Sequence, residues 1–195
     1  MKDTPPERQP GEPRITVRGK RISTLFTAEE IAACNLRLAE EIAGARSSAG
    51  ELLAIAVLKG SFVFAADLIR AMHARGHQPE VEFITLSSYG AGTEAGEVRI
   101  LRDIDTDPAG RDVLLIDDIL ESGNTLKFAA DLMRERGAAS VSIAVLLDKH
   151  SRRRAEIEPD HVGFDCPDHF VVGYGMDVGH AFRELPFVGV VEGDA

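Results

Sequence analysis

Four short apolar stretches frame this chain. Residues 52–58 (LLAIAVL) form a continuous apolar run too short for a helix, the pattern of a parallel strand covered on both faces. Residues 79–86, 113–117 and 140–147 read as three further strands. Helical spacing fills the gaps, first after Lys59-Gly60-Ser61 as far as Gly76, then from about Asn124 to Arg136, where Gly137 supplies a C-cap. Upstream, Thr27-Ala-Glu-Glu30 is a capping box with Phe26 and Ile31 placed as its hydrophobic staple. It opens a helix that keeps Ile31, Leu38 and Ile42 on one face and ends near Gly44. Strands alternating with helices predict an α/β fold, an open parallel sheet flanked by helices, with ligands at the carboxyl ends of the strands.

The remaining segments break this rhythm. Pro5, Pro6, Pro10 and Pro13 stand among charges, so residues 1–13 read as a flexible tail. Residues 15–22 alternate loosely, as a short edge strand does, among Arg14, Arg18, Lys20 and Arg21. Residues 87–112 hold Gly90, Gly92, Gly96 and Gly110 without apolar periodicity, the pattern either of a disordered segment or of a long flexible lid loop, of which the lid is the expectation here. Beyond Lys149 only strand-like pieces at 169–174 and 187–191 are evident, suited to a cap over the sheet. The expected organisation is one domain over 14–195, with a core at about 27–160 and a small hood subdomain from 14–26 and 161–195.

Composition narrows the function. The chain has 195 residues, 44% of them apolar and 28% charged, with a formal net charge of −10. Such acidity argues against a non-specific nucleic-acid binder or an anionic-membrane binder. No apolar run reaches the ~20 residues of a membrane span, and the start lacks a signal peptide's apolar stretch, which points to the cytoplasm. Cys34 and Cys166 form no Cys-x-x-Cys and read as small packed hydrophobes, and no His-Glu-x-x-His is present.

The densest chemistry lies in residues 113–125, VLLIDDILESGNT. A buried strand delivers Asp117 and Asp118 to its carboxyl end, and the turn Glu121-Ser122-Gly123-Asn124-Thr125 leads into a helix. Small residues and helix N-terminal amides make that turn a phosphate cradle, with Ser122 and Thr125 adding hydroxyls. Acids beside a phosphate would repel it unless they hold sugar hydroxyls or a divalent cation. The plainer alternative is that the two aspartates cap a helix and Ser-Gly-Asn is an ordinary turn. Gly90–Gly96 and Gly173–Gly179 imitate a dinucleotide fingerprint with one residue too many, and no P-loop is present. The Arg152-Arg153-Arg154 run reads as a solvated turn that adds positive potential near the site.

The 113–125 segment resembles the phosphoribosyl-diphosphate signature of type I phosphoribosyltransferases: four apolar residues, two acids, two apolar residues, then acid-[Ser/Thr]-Gly-x-Thr. Val57-Leu-Lys-Gly-Ser61, Ser88-Tyr89, Leu147-Asp-Lys149, the stretch from Phe164 to Asp177 and Phe182-Arg183 are similar in order and spacing to the hypoxanthine-guanine phosphoribosyltransferases. The likeness runs from about Leu25 to Val191. It implies transfer of 5-phosphoribosyl from phosphoribosyl diphosphate to N9 of hypoxanthine or guanine, giving IMP or GMP and pyrophosphate. Asp117 and Asp118 would then hold the ribose hydroxyls directly or through Mg²⁺, and Glu121 to Thr125 the 5′-phosphate. Lys59 and Gly60 would form the pyrophosphate loop, with a cis peptide before Lys59. Lys149 would donate to O6 of the purine, Phe170 stack on it, and backbone groups of Val171 and Asp177 read its edge. The Asp177 side chain would reach a second Mg²⁺, Arg183 would contact pyrophosphate, and Ser88 and Tyr89 would ride on the lid. A homodimer or homotetramer is implied as well.

One departure stands out. The purine enzymes of this family usually carry aspartate where this chain has Glu121, the position proposed as general base toward N7. The chemical type is kept and the reach lengthened by one methylene. A regulator that has kept the site without turnover, or a xanthine-preferring transferase, are the other readings. The acidity also proves uneven: residues 1–26 carry +3, whereas 103–121 carry −6 and end on the acid cluster.

Overall fold

The computed structural model describes residues 11–45, 52–88 and 98–192. Its main body is a six-stranded sheet in the order β5-β4-β3-β6-β7-β8. The strands are β3 (Leu52–Leu58), β4 (Glu80–Ser88), β5 (Val98–Arg102), β6 (Asp112–Leu120), β7 (Ser140–Asp148) and β8 (His161–Asp165). All neighbours are parallel except β4 and β5, which form an antiparallel pair. β3 is apolar throughout, and β6 and β7 are apolar over their centres, because both faces are covered there. Successive side chains of β3 go to opposite faces: Leu52, Ala54 and Ala56 join the cluster under α1 (Ala28–Ala45) and α2 (Phe62–Ala74), while Leu53, Ile55 and Val57 join the one under α3 (Asn124–Glu135). The capping box closes α1 as expected, with the Thr27 amide donating to Glu30 Oε2 at 2.8 Å and the Glu30 amide to Thr27 Oγ1 at 3.2 Å.

The chain leaves β3 through α2 to β4 on one side, then returns to build β6, β7 and β8 on the other. Strand order therefore reverses between β3 and β6. At their carboxyl ends this reversal opens a crevice, because the two connecting segments turn away from each other.

Both chain ends contribute to a second sheet, β1-β2-β10-β9, formed by β1 (Gly11–Val17), β2 (Lys20–Phe26), β9 (Val171–Val172) and β10 (Val188–Val191). Its core is Ile22, Val172, Ala181, Phe182 and Val191. The region expected to hold one edge strand is a hairpin, turned at Arg18 and Gly19, both with positive φ (49° and 78°), as a two-residue turn compatible with strand twist requires. Residues 11–13, expected in the tail, lie in β1; residues 1–10 fall outside the described residues. Residues 161–165, expected in the small subdomain, instead complete the edge of the large sheet. Within the expected lid, 98–102 pair with β4, a strand hidden from periodicity because its side chains are half-buried or exposed. Residues 89–97, with Tyr89, lie outside the described residues.

Candidate active site

Two adjoining cavities, about 300 and about 430 Å³, occupy the crevice between β3 and β6. They share Leu58, Lys59, Gly60, Leu86, Asp118, Ile119 and Glu121. Asp117, Ser122, Gly123 and Thr125 line only the smaller one. Phe170, Val171, Asp177 and Arg183 line only the larger, with Thr85, Leu101 and Met176.

The smaller cavity is a strand-end site. Asp117 and Asp118 lie within the last four residues of β6, and the chain turns at Gly123, whose φ of 83° gives glycine its reason here. The Gly123 N-cap of α3 offers no side chain and the Asn124 amide makes only a long 3.5 Å bond to Ser122 Oγ, which suits the start of this helix to an anion at the turn. Asn124 itself does not line the cavity. Burial and the neighbouring Asp118 charge push the Asp117 carboxyl well above the ordinary carboxylate range, although the Asp118 amide donates to its Oδ1 at 3.0 Å. Asp118 is also raised, by burial, with Arg183 opposing. Two carboxyls in this state are short of positive charge. A cation or hydroxyl donors between them would relieve it.

Opposite, the Leu58-Lys59 peptide is cis, as the resemblance implies, and Lys59 is exposed. A side chain at Gly60 would run into the Asp118 carboxylate, and one at Gly175, where φ is 104°, into the Gly60 carbonyl. Two stretches of backbone and the Asp118 carboxylate thus meet where Gly60 and Gly175 leave no room for a side chain.

The larger cavity is walled by the chain-end region. Phe170 is 47% exposed, an aromatic face left open at the cavity edge. Arg183 Nη1 donates to the Gly175 carbonyl at 2.6 Å and Nη2 pairs with Asp177 Oδ1 at 2.6 Å. Asp177 Oδ2 accepts the His180 amide at 2.7 Å. Both Asp177 oxygens are therefore engaged, and the carboxylate brackets Arg183. Among the described residues, the three possible metal-ligating side chains that approach within 4.8 Å of one another are Asp148, His150 and Glu158, not Asp117, Asp118 and Asp177. An Arg153 guanidinium already sits on Asp148, so that cluster has its counter-charge.

Lys149 departs from a simple pocket-lining role. It is 3% exposed and lines neither cavity; its ammonium lies behind Glu121, 2.7 Å from Oε1, and 3.7 Å from Asp168 Oδ1. The Glu121 side chain thus spans from the cavity wall to this lysine. Ser88 ends β4 opposite Val98, outside both cavities. Sequence reasoning missed Leu101, Met176 and Asp168. Leu101, 63% exposed, would have needed the β4–β5 pairing to be visible.

The sequence matches the phosphoribosyl transferase domain over residues 22–178. It is 49% identical to the hypoxanthine-guanine phosphoribosyltransferase of Bacillus subtilis over 141 residues, 72% of this chain and 77% of the relative. Identity to the Streptococcus thermophilus enzyme of the same description is 42% over 169 residues, 86% of this chain and 92% of the relative. A crystal structure of a Staphylococcus aureus hypoxanthine phosphoribosyltransferase superposes with a TM-score of 0.82 at 38% identity, covering 87% of this chain and 91% of that one. Signature, strand-end geometry and relatives agree: the chain belongs to the phosphoribosyl transferase domain family.

Proposed function

We propose that the protein transfers 5-phosphoribosyl from phosphoribosyl diphosphate to N9 of hypoxanthine or guanine, releasing pyrophosphate and forming IMP or GMP. The observation that carries this reading is the join of the two cavities at Glu121: one side offers a phosphate turn and paired aspartates, the other an open aromatic, and Glu121 itself is backed by a buried lysine. In this assignment the Glu121–Thr125 turn takes the 5′-phosphate, and Asp117 and Asp118 take the ribose hydroxyls. Mg²⁺, when bound, supplies positive charge that lets these carboxyls and a diphosphate share one site, and Asp117 and Asp118 are the side chains fitted to hold it. Lys59-Gly60 backbone groups and Arg183 receive the charge that grows on the departing pyrophosphate. The Asp177 bracket fixes Arg183 before substrate arrives.

Base choice falls to Lys149. A 6-oxo group accepts its proton donor, whereas the 6-amino group of adenine would face a buried ammonium with another donor. Phe170 provides the stacking face, and backbone groups of Val171 and Asp177 the edge contacts. Glu121 takes the proton at N7 once the incoming oxo group shares Lys149. A cytoplasmic homodimer or homotetramer is the setting we assign; no described helix is long and apolar enough to cross a membrane. The pairing of Glu121 with Lys149 also favours a second reading, a nucleotide-binding regulator, since the carboxylate is already engaged by an ammonium.

Incubation with phosphoribosyl diphosphate, Mg²⁺ and each of hypoxanthine, guanine, xanthine and adenine decides between them. IMP and GMP formation with little AMP is expected. Product from no base, with phosphoribosyl diphosphate still bound, would establish the regulator, and xanthine as the best acceptor would move the base assignment.

A further inference from the structure

The three consecutive arginines do not form the solvated turn expected of them. Arg152 lies on the surface, its Nε 2.7 Å from Asp168 Oδ1. Arg154 uses its backbone, donating its amide to the Ser122 carbonyl at 3.0 Å. Arg153 turns inward and is 12% exposed along its side chain. Its Nε donates to the Glu121 carbonyl at 3.2 Å, its Nη1 to the Ile157 carbonyl at 2.6 Å, and its Nη2 to the carboxylate of Asp148. Asp148 is 1% exposed and stands immediately before Lys149. Its other oxygen, Oδ2, lies 3.1 Å from Nε2 of the surface residue His150. A guanidinium meets three acceptors in one plane, which an ammonium on a flexible stem cannot do.

We propose that Arg153 is a positioning residue for the Glu121–Thr125 turn, with Asp148 as its buried anchor. The proposal rests on the assignment of that turn to the 5′-phosphate. The ladder between β6 and β7 ends at Leu120 opposite Asp148, and the Lys149 amide donates to the Leu120 carbonyl at 3.0 Å. One residue further the turn leaves the sheet and its carbonyls need new partners. Ser122 finds two backbone amides, from Arg154 and Ala155; the Glu121 carbonyl is held by the Arg153 side chain. Rotation of that one peptide would turn the Ser122 amide that follows it out of its place in the turn. The stem of Arg153 also packs on the turn, since a Cβ at Gly123 would lie 3.1 Å from its Cδ. Through Asp148 the same guanidinium ties the turn to the strand end that bears Lys149, so the phosphate side and the base side keep one spacing. The cost of burying a charge at this point is met by a buried partner of opposite sign.

Steady-state kinetics of Arg153→Lys, Arg153→Ala and Thr125→Val, normalised to folded protein, test this. Because a misplacement of about 1 Å costs up to about a hundredfold, Arg153→Lys is expected to lower kcat/KM for phosphoribosyl diphosphate by roughly tenfold or more. KM for phosphoribosyl diphosphate should rise more than KM for hypoxanthine, and guanidinium ion added to Arg153→Ala should restore part of the loss. Constants for both Arg153 variants within about twofold of the parent, with Thr125→Val impaired, would overturn the positioning role and leave the phosphate site standing. A loss equal for both substrates and deaf to guanidinium would reduce Arg153 to general support, overturning the proposal equally. No effect of Thr125→Val on phosphoribosyl diphosphate would remove the phosphate assignment, and this proposal with it.

Discussion

The two walls of the crevice are made by different means. The β6 wall is an extension of the parallel sheet: its acids follow directly from a strand whose neighbours on both sides are paired over most of its length. The chain-end wall hangs on single contacts between distant residues. Tyr174, at a positive φ of 49°, donates its hydroxyl to Asp67 of α2 at 2.6 Å and accepts from Asn35 of α1 at 2.9 Å. His180 and Phe182, with φ of 64° and 74°, flank the stretch that delivers Arg183. Non-glycine residues persist in this conformation only where their surroundings impose it. A sheet edge can carry charge chemistry on regular backbone; a wall that must fold over the ligand takes irregular backbone and long-range ties instead.

Substitutions should separate the walls, the largest effect coming from the sheet side. Changing Asp117 and Asp118 together to Asn removes both carboxylates facing the sugar, and kcat/KM should fall on the order of a thousandfold, the scale of several kcal/mol of charge stabilisation. An equal fall in unfolding free energy would mean that the pair is structural. Chelating Mg²⁺ in the parent should weaken phosphoribosyl diphosphate binding, measured by calorimetry, and should matter far less once both aspartates are gone.

On the other wall, Arg183→Met breaks the Asp177 bracket and the Gly175 contact together, and turnover should drop by about ten- to a hundredfold with folding cooperativity unchanged. Tyr174→Phe deletes the hydroxyl shared by Asn35 and Asp67 and should cost ~1–3 kcal/mol in urea unfolding, because buried partners lose their mate. If Tyr174→Phe were neutral, the chain-end wall would be held by its apolar core alone.

The smallest expected effect lies on the sheet side, far from either cavity. Burial holds His161 below its usual value of 6.5, with Asp160 and Glu41 opposing. The folded state therefore resists protonating it, so stability is unaffected above that value and declines as pH falls below it toward the depressed folded-state pKa. His161→Gln should flatten that acid-side decline in a pH series of denaturation midpoints, and an unchanged slope would show that other groups set it.

The same contrast explains what could be read in the sequence. The strands and the acid turn follow from local pattern: a seven-residue apolar run, two acids at a strand end and Ser-Gly-x-Thr are all contiguous. The Thr27–Glu30 box needs only four residues. Asn35 and Asp67 lie 139 and 107 residues from Tyr174, whose hydroxyl they share, and no local rule joins them. The arginine run misled for the same reason, since Arg153 looks like its neighbours until its acceptors at Glu121 and Ile157 are in place. β5 was hidden by exposure, its side chains lacking the alternation that a covered strand shows. Lys149 was assigned to the base by resemblance, but its partnership with Glu121 depends on side-chain reach that spacing does not express.

The contact of Gly175 with Gly60 reaches beyond this one molecule. Neither position can gain even a methyl group without moving the other's backbone or the Asp118 carboxylate. Lineages carrying this fold are then free to vary the surfaces around the crevice, while a pair of residues 115 positions apart stays locked to the smallest letter of the alphabet. Inherited change at Gly175 then requires the Gly60 backbone to shift, and change at Gly60 requires Asp118 to give way, so the three positions are bound into one heritable unit.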